Sequence, residues 1–144
     1  SDSHTISTFS EQWQTGRFKD NEWNQRYEVE VTTLDHLIEQ FGVPKFCKID
    51  VEGFELEVLL GLSNPIEYIS FEFAVEFIEK ASACTEQLMN LGYQHFNYAL
   101  GDNLAKPNRL MFDHWKGGSE IIQSIKDQEN SKLWGDIYVY YDHN

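Results

Sequence analysis

Apolar residues recur along this chain in short bursts separated by polar or glycine breaks, and their spacing predicts alternating helices and strands. The first 26 residues are polar, with Trp13, Phe18 and Trp23 as isolated anchors, and read as an irregular lead-in laid over the body. Residues 27–31 alternate apolar and acidic positions, the pattern of a short half-exposed strand. Thr33 can cap a helix in which Leu34, Leu37, Ile38 and Phe41 follow helical spacing, and Gly42 and Pro44 stop it. A strand over 46–50 and a helix over about 54–60, closed by Gly61, come next. Pro65 leads into a strand over 67–73 with Ile69, Phe71 and Phe73 on its core face and Tyr68 and Glu72 opposite. The longest helix spans roughly 75–91, lined by Phe77, Ala81, Cys84, Leu88 and Leu91 and ended by Gly92. An aromatic strand over 93–100, a loop GDNLAKPN and a brief strand over 109–112 follow. Ser119 then caps a helix running to about 127 that buries Ile121, Ile122 and Ile125. A strand over 134–141 closes the chain, alternating Ile137, Val139 and Tyr141 against Asp136, Tyr138 and Tyr140.

Strands alternating with helices define the α/β class, in which strands pair in parallel through right-handed crossovers. One junction carries chemistry. The segment KFCKIDVEGFELEVLL, residues 45–60, runs from an apolar strand into Asp50, Glu52 and Glu55, with Gly53 among them, and straight on into a helix. That describes the carboxyl edge of a sheet, where open α/β sheets bind their ligands. Asp50 at the strand tip is the first candidate for catalysis, Glu52 the second, and Glu72 at the end of the next strand can line the same cleft. Crowding these acids raises the pKa of one of them towards a useful range. Each has a plainer role open to it. Asp50 can cap the helix, Glu52 can pair with Lys48 or remain a solvated acid at the helix start, and Glu72 can point outward. Glu55, one turn on, reads as helix-face decoration, and Gly53 as a geometric necessity. The histidines, His36, His95 and His114 among them, have no placed partner and read as ordinary surface or core side chains.

Three segments in this order and spacing carry a resemblance: TTLDHL at 32–37, KIDVEGFELEVLLG at 48–61 and YISFEF at 68–73. Together they resemble the FkbM family of S-adenosylmethionine-dependent methyltransferases. The resemblance runs from about residue 28 to 73, and the tail WGDIYVYY is compatible with that family's last strand. It implies a Rossmann-like methyltransferase fold with a mostly parallel sheet and an antiparallel last strand. It also implies methyl transfer from S-adenosylmethionine to a hydroxyl of a sugar or other small metabolite; on that reading Asp50, Glu52 and Glu72 are the catalytic candidates, and Asp50 and Val51 border the cofactor. The family carries a Gly-rich loop upstream that cradles the cofactor. None of the nine glycines here forms a GxG or GxGxxG pattern. Residues 27–144 therefore read as the carboxy-terminal part of such a domain, with most of the cofactor site in a segment this chain lacks.

Composition narrows the alternatives. At 41% hydrophobic and 15% aromatic residues the chain is a folded body, not a disordered one. A formal net charge of −13 argues against nucleic acid and against anionic membrane surfaces as partners. Cys47 and Cys84 show no CxxC spacing and fall on apolar faces, so they read as buried free thiols in a reducing, cytoplasmic setting. Scattered His and Cys offer no zinc spacing, and the resemblance requires no metal. Two other function classes stay open. One is a non-enzymatic assembly module that self-associates through an exposed sheet edge. The other is a hydrolase using Mg²⁺ held by the acidic strand ends.

Overall fold

The computed structural model describes residues 29–101 and 109–143, which form a four-stranded mixed sheet with helices packed against one face. Its elements are α1 (Leu34–Phe41), β1 (Phe46–Ile49), α2 (Glu55–Leu60), β2 (Tyr68–Ala74), a 3₁₀ turn (Val75–Phe77), α3 (Ile78–Asn90), β3 (His95–Leu100), α4 (Gly118–Lys126) and β4 (Trp134–Tyr140). The strand order is β1-β2-β4-β3. β1 and β2 run parallel, and β4 inserts between β2 and β3, antiparallel to both. The last strand is thus antiparallel, as expected. It leaves only one parallel pairing of the three, so the sheet is mixed where a mostly parallel one was expected.

Alternation decides which face is covered. Ile69 pairs with Val139 and Val139 with Phe96, while Phe71 pairs with Ile137 and Ile137 with Tyr98, giving two apolar rows on one face. These residues are at most 1% exposed, and they form one core with Leu59 of α2, Leu88 of α3 and Ile121 and Ile125 of α4. The intervening positions form the other, polar face: Lys48, Ser70, Glu72, Asp136 and Tyr138. Tyr93 closes the lower end of the core. Its hydroxyl donates to Ile66 O at 2.6 Å and accepts from Ile66 N–H at 2.8 Å, and burial pushes its pKa up to about 12. Cys84 is buried and Cys47 half-buried, both as free thiols, and burial raises the Cys84 pKa to about 12. Among the described residues no helix is long and apolar enough to cross a membrane.

Several boundaries differ from those read in the sequence. Residues 29–31 are irregular, with Val31 90% exposed. Alternation marks extended chain but supplies no partner strand. Residues 1–28, including the rest of that segment and the expected lead-in, lie outside the described residues. Residues 109–112 form no strand: Met111 N–H donates to Tyr98 O at 2.7 Å, but at Phe112 the Asn97 side chain stands in for a backbone partner. Its amide donates to Phe112 O at 2.8 Å and its oxygen accepts from Phe112 N–H at 3.2 Å. The last helix starts at Gly118 ahead of Ser119, since the Glu120 carboxylate folds back to accept from Gly117 N–H at 3.1 Å. α1 forms with its Thr33 cap, whose hydroxyl accepts from His36 N–H, yet none of its residues is fully buried and Phe41 is 81% exposed.

Candidate functional site

Parallel pairing sets the carboxyl ends of β1 and β2 side by side. Ile49 lies opposite Phe71, and the next residues along the two chains are Asp50 and Glu72. Across β2, Glu72 pairs with Asp136 of β4. Three acids therefore stand in one row across three strands. Lys48, two positions before Asp50 and so on the same face, reaches over the row. Its ammonium is 3.3 Å from Asp50 Oδ2 and 3.9 Å from Asp136 Oδ1. Burial works against that ammonium, but Asp136 and Asp50 outweigh it and raise its pKa.

The fourth acid arrives through the turn after β1. Glu52 has φ 52° and Gly53 φ 101°. A positive φ is ordinary for glycine and costs a residue with a Cβ about 1 kcal/mol or more, which the surroundings must offset. Two side chains secure the turn. Glu55 Oε1 accepts from Gly53 N–H at 3.0 Å, and Lys80 of α3 donates to Gly53 O at 3.1 Å. So bent, the chain brings Glu52 back to its neighbours. One carboxylate oxygen from each of Asp50, Glu52 and Glu72 lies within 4.8 Å of the other two, close enough to converge on a single cation.

Electrostatics follow from that crowding. Burial, then the charges of Glu52, Asp50, Asp136 and Glu55, pushes the Glu72 pKa up to about 7. Glu52 is raised by burial and by Asp50 and Glu55. Asp136 is raised by burial too, although Lys48 pulls the other way. Beneath the turn lies a small cleft bordered by Gly53, Glu55, Glu72, Phe77, Lys80 and Cys84.

The three acids singled out in the sequence, Asp50, Glu52 and Glu72, are thus brought together. Their plainer roles fare less well. Asp50 caps no helix, since α2 has no side-chain cap and Asp50 pairs with Lys48. Lys48 pairs with Asp50 and Asp136 and not with Glu52. Glu55 is no surface decoration: it is 7% exposed and bonds the turn, because a helix-start carboxylate can reach back to an amide two residues earlier. Val51 packs its side chain against the core. His95 stacks flat on Tyr140, and His36 bonds Gln40, so neither joins the acids. Asp136 and Lys80 were missed. Alternation in β4 already put Asp136 on the face of Glu72, but only the order β2-β4 makes them neighbours. Lys80 left no signal beyond being a lysine on the flank of an amphipathic helix.

Comparison with known proteins identifies a family. Residues 1–98 match the family model described as the methyltransferase FkbM domain. No curated protein and no solved structure matches the chain. The match covers more than half the sequence and takes in β1, the acidic turn, β2 and most of β3, so the chain belongs to the FkbM methyltransferase family.

Proposed function

We propose that the acidic end of β1 and β2 receives the cationic end of S-adenosylmethionine in a Rossmann-like methyltransferase domain acting on a small hydroxylated molecule. The observation that carries this reading is the convergence of Asp50, Glu52 and Glu72 oxygens within 4.8 Å at paired parallel strand ends. The donor set suits the group: three carboxylates and a fourth in Asp136, offset by one lysine, favour a ligand bearing ammonium and sulfonium charges. When bound, the donor supplies an electrophilic methyl group for a hydroxyl oxygen of a sugar or other small metabolite. Asp50 and Glu52 hold its positive end and so fix its direction. The backbone of Val51 and the Glu52 turn borders it. Glu72, with a pKa near 7, takes up the proton that the acceptor hydroxyl loses. In-line displacement needs little else from the protein than alignment and exclusion of water, and side chains on paired strand ends supply alignment.

Side-chain carboxyl carbons of the full-length protein, followed by NMR during titration with S-adenosylmethionine, test this. The signals of Asp50, Glu52 and Glu72 are expected to move together, and Asp50→Asn is expected to weaken binding about tenfold, the loss of one charge-assisted contact. Signals that stay fixed at millimolar donor sink the reading. The same shifts produced by Mg²⁺ alone favour a hard-cation site and the hydrolase class instead.

A second reading, self-association, is favoured by the free edge of β1. Phe41, Val43 and Phe46 are 81%, 62% and 50% exposed beside a strand that pairs only through β2 among the described residues. Edge-to-edge pairing of two copies would cover them. Light scattering decides: a mass that doubles with concentration supports pairing, and a constant monomer mass removes it.

A further inference from the structure

We propose that Lys80 is a positioning residue for the acidic site, holding the Gly53 turn in the shape that keeps Glu52 beside Asp50 and Glu72. The inference rests on reading those acids as the ligand site. It stands on how the turn is fastened. Gly53 carries one bond on each side of its Cα, and the two come from different elements. Its N–H donates to Glu55 Oε1 at 3.0 Å from the first residue of α2, and its carbonyl accepts from Lys80 Nζ at 3.1 Å, 27 positions along the chain in α3. Glu55 lies only two residues from Gly53. Lys80 is the anchor to a separate, packed helix. Lys80 lines the cleft together with Phe77 and Glu72 and is half-buried. The acid next to it in sequence, Glu79, is engaged by Lys126 at 2.9 Å.

The fastening matters because the turn does not favour itself. Glu52 sits at φ 52°, where a residue with a Cβ stays only if its surroundings insist. Repulsion from Asp50 and Glu55 also drives the Glu52 carboxylate away from the cluster. Freed at Gly53, the chain relaxes towards negative φ and carries Glu52 away from Glu72. Lys80 thus acts on the acids through the backbone, whereas Lys48 acts on Asp50 and Asp136 directly.

The test uses the full-length protein with Lys80→Met, which keeps the apolar stem and removes the donor, and Lys80→Arg, which restores a donor. The readouts are the Phe54 amide nitrogen, which shares a peptide with the Gly53 carbonyl, the Glu52 carboxyl carbon, and Gly53 amide exchange. In Lys80→Met the first two signals are expected to move, and Gly53 exchange to quicken about tenfold, the loss of one charged hydrogen bond expressed as a rate. Affinity for S-adenosylmethionine falls several-fold. Lys80→Arg returns all four towards the parent values. A folded Lys80→Met with unmoved Phe54 and Glu52 signals overturns the proposal. Should that variant not fold, Lys80→Gln, whose amide is too short for the carbonyl, is read in the same way. Turn signals that move and are rescued, in a chain that ignores S-adenosylmethionine altogether, support the role of Lys80 and overturn the donor reading.

Discussion

Glu72→Gln is expected to stabilise the chain at pH 8 and to leave its stability unchanged at pH 4. In the fold the Glu72 carboxyl has a pKa raised to about 7, first by burial and then by Glu52, Asp50, Asp136 and Glu55. In the unfolded chain a glutamate titrates near about 4.3. Between those values the folded state binds more protons than the unfolded one, so stability falls as pH rises through that window and stays low above it. Below about pH 4 both states are protonated, and glutamine, a near-isostere of the protonated acid, changes little. Glu72 is only partly buried, so the shift at about 1.4 kcal/mol per unit has to be discounted for solvent screening, leaving a gain of about 1–2 kcal/mol at pH 8. Urea unfolding of both proteins at pH 4, 6 and 8 measures it. Equal stabilities at all three would mean that Glu72 ionises as freely in the fold as outside it. A bound cation supplies what the substitution supplies, so the donor is expected to bind more tightly above pH 7, with Glu72 ionised, than below pH 6.

Why these acids were visible in the sequence while their setting was not has a physical reason. The strand tip at Asp50 is a local fact: an apolar run, a cluster of carboxylates and an amphipathic helix all lie within residues 46–60. Glu72 followed because β2 has the same strand pattern and parallel neighbours end at the same edge. Hydrophobic periodicity likewise located α3, α4 and β4, whose buried residues Leu88, Ile125 and Val139 recur at helical or strand spacing. What periodicity does not encode is which strand lies beside which. Asp136 is 64 positions from Glu72, and the two meet only because β4 inserts next to β2. The Lys80 contact with Gly53 O depends on how α3 packs, which no local pattern specifies. The brief strand read over 109–112 failed because a short apolar run does not say whether a ladder continues: there the Asn97 side chain, not a neighbouring strand's backbone, bonds Phe112. The role of Glu55 was misjudged because helix-start acids are ordinarily solvated, and only a positive-φ turn directly before the helix brings Gly53 N–H within its reach.

Gly135→Ala is expected to cost about 3 kcal/mol or more, the range of a severe steric conflict in a packed interior. Gly135 stands in β4 between Phe73 of β2 and Leu100 of β3. A methyl group there would collide with the Ala99 carbonyl oxygen and come within 3.1 Å of Leu100 Cα. Both obstacles are backbone, so no side-chain rotation relieves them, and the strands must part. Among the described residues β4 alone links β2 and β3 in the sheet, so parting it detaches β3 and loosens the rows through Ile137 and Val139. The site feels the same displacement. Asp136 is the next residue, held opposite Glu72 by the register that Gly135 would break, and Lys48 reaches Asp136 across it. Chemical denaturation gives the stability loss, and the Glu72 carboxyl titration in whatever folded population remains gives the local effect, a pKa lower than the parent's as Asp136 and solvent exclusion are lost together. Gly117→Ala is the control, since the nearest atom to a methyl there is the side-chain Glu120 Oε2 at 3.4 Å, an ordinary contact distance. It is expected to stay within about 0.5 kcal/mol of the parent. A Gly135→Ala chain as stable as that control would mean that β4 does not run between β2 and β3, and the row Asp50–Glu72–Asp136 would fall with it.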